Sequence, residues 1–154
     1  MKLFYYTTNI GSIAIAEDNG YITNLYFKTM AIEQIAEICE TDIIKKAAHQ
    51  LELYLNGKLK EFSLPLAPAG TPFQQRVWQA LREIPYGKTK SYKDIALAIE
   101  NPKAFQAVGQ ANAKNPIPLI IPCHRVISSN GKLGGYSLGL ELKQKLLNLE
   151  AKHS

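Results

Sequence analysis

The sequence has little that could staple a small fold covalently or through metal. Two cysteines, Cys39 and Cys123, stand far apart in 154 residues, which leaves no disulfide framework. Free thiols fit a reducing compartment, so a cytoplasmic location is expected. Cys39, Cys123 and the three histidines (His49, His124, His153) show no metal-ligand spacing, and neither a metal nor any other cofactor is expected. No apolar run approaches the roughly 18 residues of a membrane span. The start, Met1 to Asn9, is too short and too polar for the core of a signal peptide. Repeats and low-complexity tracts are also lacking.

With 46% apolar and 20% charged residues, the chain is globular and long enough for one ordinary domain or two small ones. Its net charge of +5 is unevenly placed: residues 1–70 carry six Lys/Arg against eight Asp/Glu, and residues 71–154 carry twelve against five. The sign changes at Pro65-Leu66-Ala67-Pro68-Ala69-Gly70-Thr71-Pro72, a segment with the composition of a linker. Two domains, 1–70 and 71–154, are therefore expected. The basic one suits either a polyanionic partner, nucleic acid first, or an ordinary solvated surface.

In the acidic half, residues 2–8, 10–17 and 21–27 read as an antiparallel sheet, with Asp18-Asn19-Gly20 as a hairpin turn. Ile32, Ile35, Ala36 and Cys39 have helical spacing, which predicts a helix over 31–39 with Cys39 on its packed face. A second helix is predicted over 42–56, stopped by Asn56-Gly57, and Glu61 to Leu66 reads as a returning strand. No reactive groups gather here, and the half reads as a scaffold.

In the basic half, Thr71 can cap a helix with Pro72 at its first position. Phe73, Val77, Trp78 and Leu81 form its buried stripe. Ser91 caps a short helix through Ile99, and the turn Glu100 to Lys103 leads into another, Ala104 to about Ala113. With Ile95, Ile99, Phe105 and Val108 packed between them, the two read as a DNA-binding helix-turn-helix or as a plain helix hairpin. The second is small-sided (Ala104, Ala107, Gly109, Ala111, Ala113), which permits close approach to a phosphate backbone or a narrow groove.

Asn115-Pro116 ends that helix, and an extended apolar run, Ile117 to Ile121, delivers Pro122-Cys123-His124-Arg125-Val126. Thiolate is the reactive form of cysteine, and neighbouring cations or proton acceptors lower a pKa that starts near ~8.5. Two readings stay open: an activated nucleophile on a fixed, buried segment, or an inert buried thiol beside a surface basic pair. Adjacent side chains diverge, so Cys123 and His124 would communicate through a bridging water. Ser129-Asn130-Gly131-Lys132 then predicts a hairpin turn, and Gly134-Gly135-Tyr136-Ser137 a flexible loop. Residues 139–152 predict a last helix with Leu142, Leu146 and Leu149 on one face. Glu150 borders that stripe, either as a solvated residue or as a group that orients an imidazole.

The motif at 122–126 resembles the active-site motif of the O6-alkylguanine-DNA alkyltransferases, the methylated-DNA–protein-cysteine methyltransferases. The likeness runs over roughly 71–150. It includes Thr71-Pro72-Phe73-Gln74, Ile84-Pro85-Tyr86-Gly87, Ser91-Tyr92, Asn101-Pro102-Lys103-Ala104, Ala107-Val108-Gly109, Asn115-Pro116 and Gly135-Tyr136-Ser137, with Glu150 at the family's spacing. The acidic half shares only a general strand-and-helix pattern.

The resemblance implies an α+β fold: a small ribonuclease-H-like α/β domain, then a mostly helical winged helix-turn-helix domain. It implies single-turnover, irreversible transfer of a methyl or other alkyl group from O6 of guanine, and from O4 of thymine as a second substrate, to Cys123. The partner would be double-stranded DNA, bound by a monomer through its minor groove, with the damaged base flipped out. By the same likeness His124 takes the thiol proton through a water, Glu150 orients His124, and Asn115 holds the active-site segment. Tyr92 faces the flipped nucleotide and places a proton donor at the purine. Tyr136 and Ser137 hydrogen-bond O6, and the Cys123 and Val126 carbonyls receive the exocyclic amine. Gln106, Ala107, Gly109 and Arg125 complete the substrate and DNA contacts.

Two positions depart from the family. Gln106 stands where an arginine usually fills the gap left by the flipped nucleotide, and Leu138 where a glycine or another residue often stands, which would favour methyl over bulky groups. Two competing readings are a non-catalytic reader of alkylated DNA, against which Cys123 argues, and a cysteine hydrolase, for which the Cys123-His124 adjacency is awkward.

Overall fold

The computed structural model describes residues 1–27 and 36–154, which divide into two compact units, Met1–Ala69 and Gly70–Ser154. In the first, β1 (Lys2–Thr8), β2 (Gly11–Asp18) and β3 (Tyr21–Phe27) form the antiparallel core of a sheet. A short β4 (Glu37–Ile38) adds in parallel beside β1, giving the order β3-β2-β1-β4. The β2–β3 turn needs two residues at positive φ, and Asn19 (52°) and Gly20 (82°) supply them. Helix α1 (Asp42–Leu55) is capped by Thr41, whose hydroxyl accepts from the Ile44 N–H, and covers the sheet with Ile44, Ala47, Leu51 and Tyr54.

Two expectations fail here. Residues 28–35, most of the helix predicted over 31–39, lie outside the described residues. Its end is extended: β4 pairs with Lys2 and Leu3, and the half-buried Cys39 donates its N–H to the Leu3 carbonyl at 3.0 Å. Pairing with a sheet edge has overridden the helical spacing. Nor is 61–66 a strand. Only Leu66 bridges to Ile22, because Pro65 and Pro68 bring no N–H for a ladder.

In the second unit, α2 (Pro72–Arg82) and α3 (Tyr92–Ala98) both begin with reciprocal capping boxes, Thr71 with Gln74 and Ser91 with Asp94. The buried Trp78 of α2 donates its indole N–H to the Ala111 carbonyl of α4 (Phe105–Ala113) at 2.9 Å. Helices α3 and α4 form the expected helix-turn-helix pair, with Ile95, Ile99 and Val108 buried. Phe105 is not: it is 41% exposed, at the first position of α4, where Lys93 near the start of α3 reaches over its ring.

Three further details differ. The 117–121 run is coiled, not extended: Leu119 sits at φ 71°, and the Ile121 N–H donates to the Ile117 carbonyl at 2.9 Å. The 129–132 turn forms, but the small sheet is parallel, β5 (Lys90–Ser91) with β6 (Val126–Ile127), so there is no hairpin. Helix α5 (Leu140–His153) buries Lys143, Leu146 and Glu150, while Leu142 and Leu149 are only half-buried. Its inward stripe is thus mostly charged. Among the described residues no helix is long and apolar enough to cross a membrane.

Candidate active site

Cys123 opens a single 3₁₀ turn, Cys123–Arg125, which directs three reactive side chains inward at once. The turn is held from both sides by asparagines. Asn115 donates from Nδ2 to the Ile121 carbonyl at 2.7 Å and accepts from the Ile117 N–H at 2.9 Å, fixing the coil before Cys123. Asn112 donates to the Cys123 carbonyl at 3.3 Å. Cys123 is 2% exposed, and burial pushes its thiol up to about 11. Hydrogen bonds from the Asn115 and Tyr136 side chains and the charge of Lys143 pull the other way without prevailing. The expected lowering by basic neighbours is therefore overturned: in the resting protein desolvation wins.

Behind the cysteine lies a buried charge network. Glu150 Oε2 accepts from His124 Nε2 at 2.7 Å, so a carboxylate that can only accept places the imidazole proton on Nε2 and the basic lone pair on Nδ1. Arg125 forks onto the same carboxylate, Nε to Oε1 at 2.8 Å and Nη2 to Oε2 at 3.0 Å, and its Nη1 donates to the Ile84 carbonyl at 2.7 Å. The Gly87 N–H completes the set at 3.1 Å. Glu150 is thus surrounded by four donors, as many as a carboxylate accepts comfortably. Burial holds His124 below its ordinary pKa, against the pull of Glu150, which keeps the ring neutral and able to take a proton.

Arg125, expected among the DNA contacts, is turned inward. Its guanidinium is consumed by Glu150 and Ile84, because a buried carboxylate with only a neutral imidazole beside it would be uncompensated. Glu150 itself is 1% exposed, which removes the solvated reading. Val126 is buried, and its carbonyl accepts from Lys143 Nζ at 2.6 Å.

Lys143, which the sequence reading passed over, is fully buried. Its ammonium has three protons and meets three carbonyls: Val126, Gly135 at 3.1 Å, and Leu133. It pins the 133–137 loop to the turn that carries Cys123. Burial lowers its pKa to about 8, while the proximity of Cys123 pulls it upward. Its signal was available: 143, 146 and 150 share one helix face by i, i+3, i+7 spacing. Asn112, also missed, carries no comparable signal.

Tyr92 begins α3 beside this loop. Burial and the nearby Cys123 raise its pKa. Its ring rests on glycines: a methyl group at Gly109 of α4 would lie 3.8 Å from it, and one at Gly134 would meet its ring and hydroxyl at 3.2 Å. Gly134 also sits at φ 70°, so both space and backbone require glycine there. Gln106 and Ala107 are exposed on α4, Tyr136 is half-buried and Ser137 exposed. The geometry therefore gathers Cys123, His124, Glu150, Asn115, Tyr92 and Tyr136 around one buried turn, while Gln106 and Ala107 lie on the helix surface next to it. Among the described residues no group of three or more His, Cys, Asp or Glu could hold a metal ion.

Comparison with known proteins agrees over nearly the whole length. Residues 1–68 match the family model of the 6-O-methylguanine DNA methyltransferase ribonuclease-like domain, and residues 72–152 that of its DNA binding domain. A methylated-DNA–protein-cysteine methyltransferase of Methanosarcina barkeri is 60% identical over 144 residues, covering 92% of this chain and 91% of the relative. The constitutive enzyme of that name from Bacillus subtilis is 47% identical over 156 residues, covering 95% and 94%. The crystal structure of Mycobacterium tuberculosis OGT in complex with DNA superposes with a TM-score of 0.94 at 41% identity, covering 100% of this chain and 95% of that one. With both halves matched and the cysteine turn built as described, the chain belongs to the 6-O-methylguanine DNA methyltransferase family.

Proposed function

We propose that this chain repairs duplex DNA in the cytoplasm by moving a methyl or other alkyl group from O6 of guanine onto Cys123, once per molecule. The observation that carries the proposal is the buried His124–Glu150 hydrogen bond on the same turn as buried Cys123, with Asn115 and Tyr136 hydrogen-bonded to the sulfur. Sulfur forms a bond to the alkyl carbon as the carbon–O6 bond breaks. The thiol proton passes to His124 Nδ1 through a water, the purine takes a proton from the Tyr92 hydroxyl, and the imidazolium gives up its proton through solvent to restore that hydroxyl, so the net change is thiol plus alkylguanine to thioether plus guanine.

A thiol with a pKa near 11 is ionised in roughly one molecule in ten thousand at neutral pH. Deprotonation is therefore coupled to substrate arrival, when a base seated over the turn brings the water and the proton acceptor into line. The high pKa protects the sulfur from chance oxidation between lesions. Tyr92, whose hydroxyl burial keeps protonated in the resting protein, is the proton donor to the purine and is reprotonated once the transfer is over. The base must leave the stack to reach this turn, at a cost of roughly a few kcal/mol, and the basic unit supplies the attraction to phosphate. Thioether offers no leaving group, so the protein is consumed.

The test is the mass of the intact protein after incubation with an O6-methylguanine duplex. One methyl per chain, mapped to Cys123 and lost in Cys123→Ala, is the expected result. Release of more than one equivalent of product would favour a hydrolase, and binding without mass gain would favour a reader.

A further inference from the structure

Phe105 is the one aromatic ring of the second unit counted among its exposed large side chains. Its apolar neighbours in the stripe, Ile95, Ile99 and Val108, are all buried. It opens α4, whose outward residues Gln106, Ala107 and Gln110 are exposed and uncharged. Residues four apart stack along a helix face, so Phe105 lies one turn before Gly109, the glycine under the Tyr92 ring. The order along the surface is then Phe105, Gly109, Tyr92 and the cysteine turn. Lys93, the residue after Tyr92, holds its ammonium 5.9 Å from the centre of the Phe105 ring, within cation–π range.

We infer that Phe105 is the wedge that enters the base stack when the target nucleotide leaves it, with Lys93 supplying the charge beside it. An apolar ring inserted at a base step unstacks it and occupies the vacated space. Stacking on an aromatic needs no particular sequence, since every base presents a π-face. A lysine held at the ring meets the adjacent phosphate as the ring goes in. Gln106 next to it can hydrogen-bond to the orphaned partner base, but its amide has neither the apolar face nor the charge. The pair Phe105 and Lys93 brings both. The inference rests on the proposed function, since a wedge is needed only if a base is extruded.

The experiment compares single-turnover rates on an O6-methylguanine duplex and on the free O6-methylguanine base, which needs no extrusion. Phe105→Ala lowers the duplex-to-free-base rate ratio at least about tenfold, the scale of one lost base–aromatic stack. Phe105→Leu, which keeps apolar bulk, recovers part of it, and Gln106→Ala has a smaller effect. Leu97→Ala, at an exposed apolar residue of α3 outside the site, leaves the ratio within twofold. The wedge is overturned if Phe105→Ala keeps the wild-type ratio, if it slows both substrates equally, or if Gln106→Ala has the larger effect. Should the wild-type protein alkylate from neither substrate, the proposed function falls, and the wedge with it.

Discussion

Both units bury an apolar core, but they differ in the polar side chains buried with it. The first packs Leu3, Ile13, Ile15, Ile22, Leu25, Ile44, Leu51 and Tyr54, with Glu17 and Gln50 as its buried polar residues among those described. The second packs Val77, Trp78, Leu81, Ile95, Val108 and Ile117 in the same way, and adds Asn112, Asn115, His124, Arg125, Lys143 and Glu150 around one short turn. Apolar burial stabilises by roughly 25 cal/mol per Å² and makes few demands on geometry. Buried charge stabilises little or nothing net and is lost abruptly when one partner goes. The contrast separates the jobs: both units are held by area, and the second spends part of that stability to hold a thiol, an imidazole and a carboxylate in fixed relation.

The largest effect should come from breaking that network. Glu150→Ala leaves Arg125 buried without its carboxylate and removes the acceptor of His124 Nε2, for a loss of about 3–5 kcal/mol. Amide hydrogen exchange, read separately for residues 1–69 and 70–154, should place the loss in the second unit. A drop below about 1 kcal/mol there would erase the distinction between the units.

What was legible in the sequence follows the same division. The three strands, the Asn19-Gly20 turn, α1 and the Thr71 and Ser91 caps rest on local pattern and local turn chemistry, which a chain carries openly. The cysteine, the imidazole and the glutamate were legible as a motif. Arg125 was misread because a basic residue is ordinarily a surface residue, and only Glu150, far along the chain, brings it inside. Lys143 was missed because its partners are carbonyls, which leave no trace in residue identity. Phe105 falls on the core stripe by periodicity, which does not say that the first residue of α4 keeps one side of its ring open to solvent. Cys39 was given to a helix because its spacing could not show that the edge of β1 lay open to a parallel partner.

A pH titration sharpens the comparison at a smaller scale. Cys123 is raised from 9.0 to about 11, so between those values the folded chain holds a proton that the unfolded chain has lost. Its contribution to stability is complete below about pH 9 and falls away as pH rises to about 11. Lys143 is lowered from 10.5 to about 8, so over that window the unfolded chain binds the extra proton and stability rises with pH. The two limbs oppose, each on the order of 3 kcal/mol, so the wild-type profile should rise from pH 8 to 9, stay nearly flat where the windows overlap between 9 and 10.5, and fall again towards pH 11. Lys143→Met should expose the falling limb and Cys123→Ala the rising one, by urea denaturation at each pH. Parallel flat profiles in all three would show that the buried pair does not titrate with folding.

The smallest effect belongs to the first unit's own polar exception. Gln50 on α1 accepts from the Ser63 N–H at 2.9 Å and donates to its hydroxyl at 3.0 Å, tying down the 61–66 segment that forms no strand. Both groups lie where water can reach after modest movement, and neither partner is charged. Gln50→Ala should therefore cost about 1 kcal/mol, the usual net worth of neutral hydrogen bonds. It should leave the rate of methyl transfer to Cys123 unchanged, since it touches only a neutral tie in the acidic unit. A loss as large as that of Glu150→Ala would mean that the acidic unit, too, depends on a polar keystone. Its stability could then no longer be ascribed to apolar area.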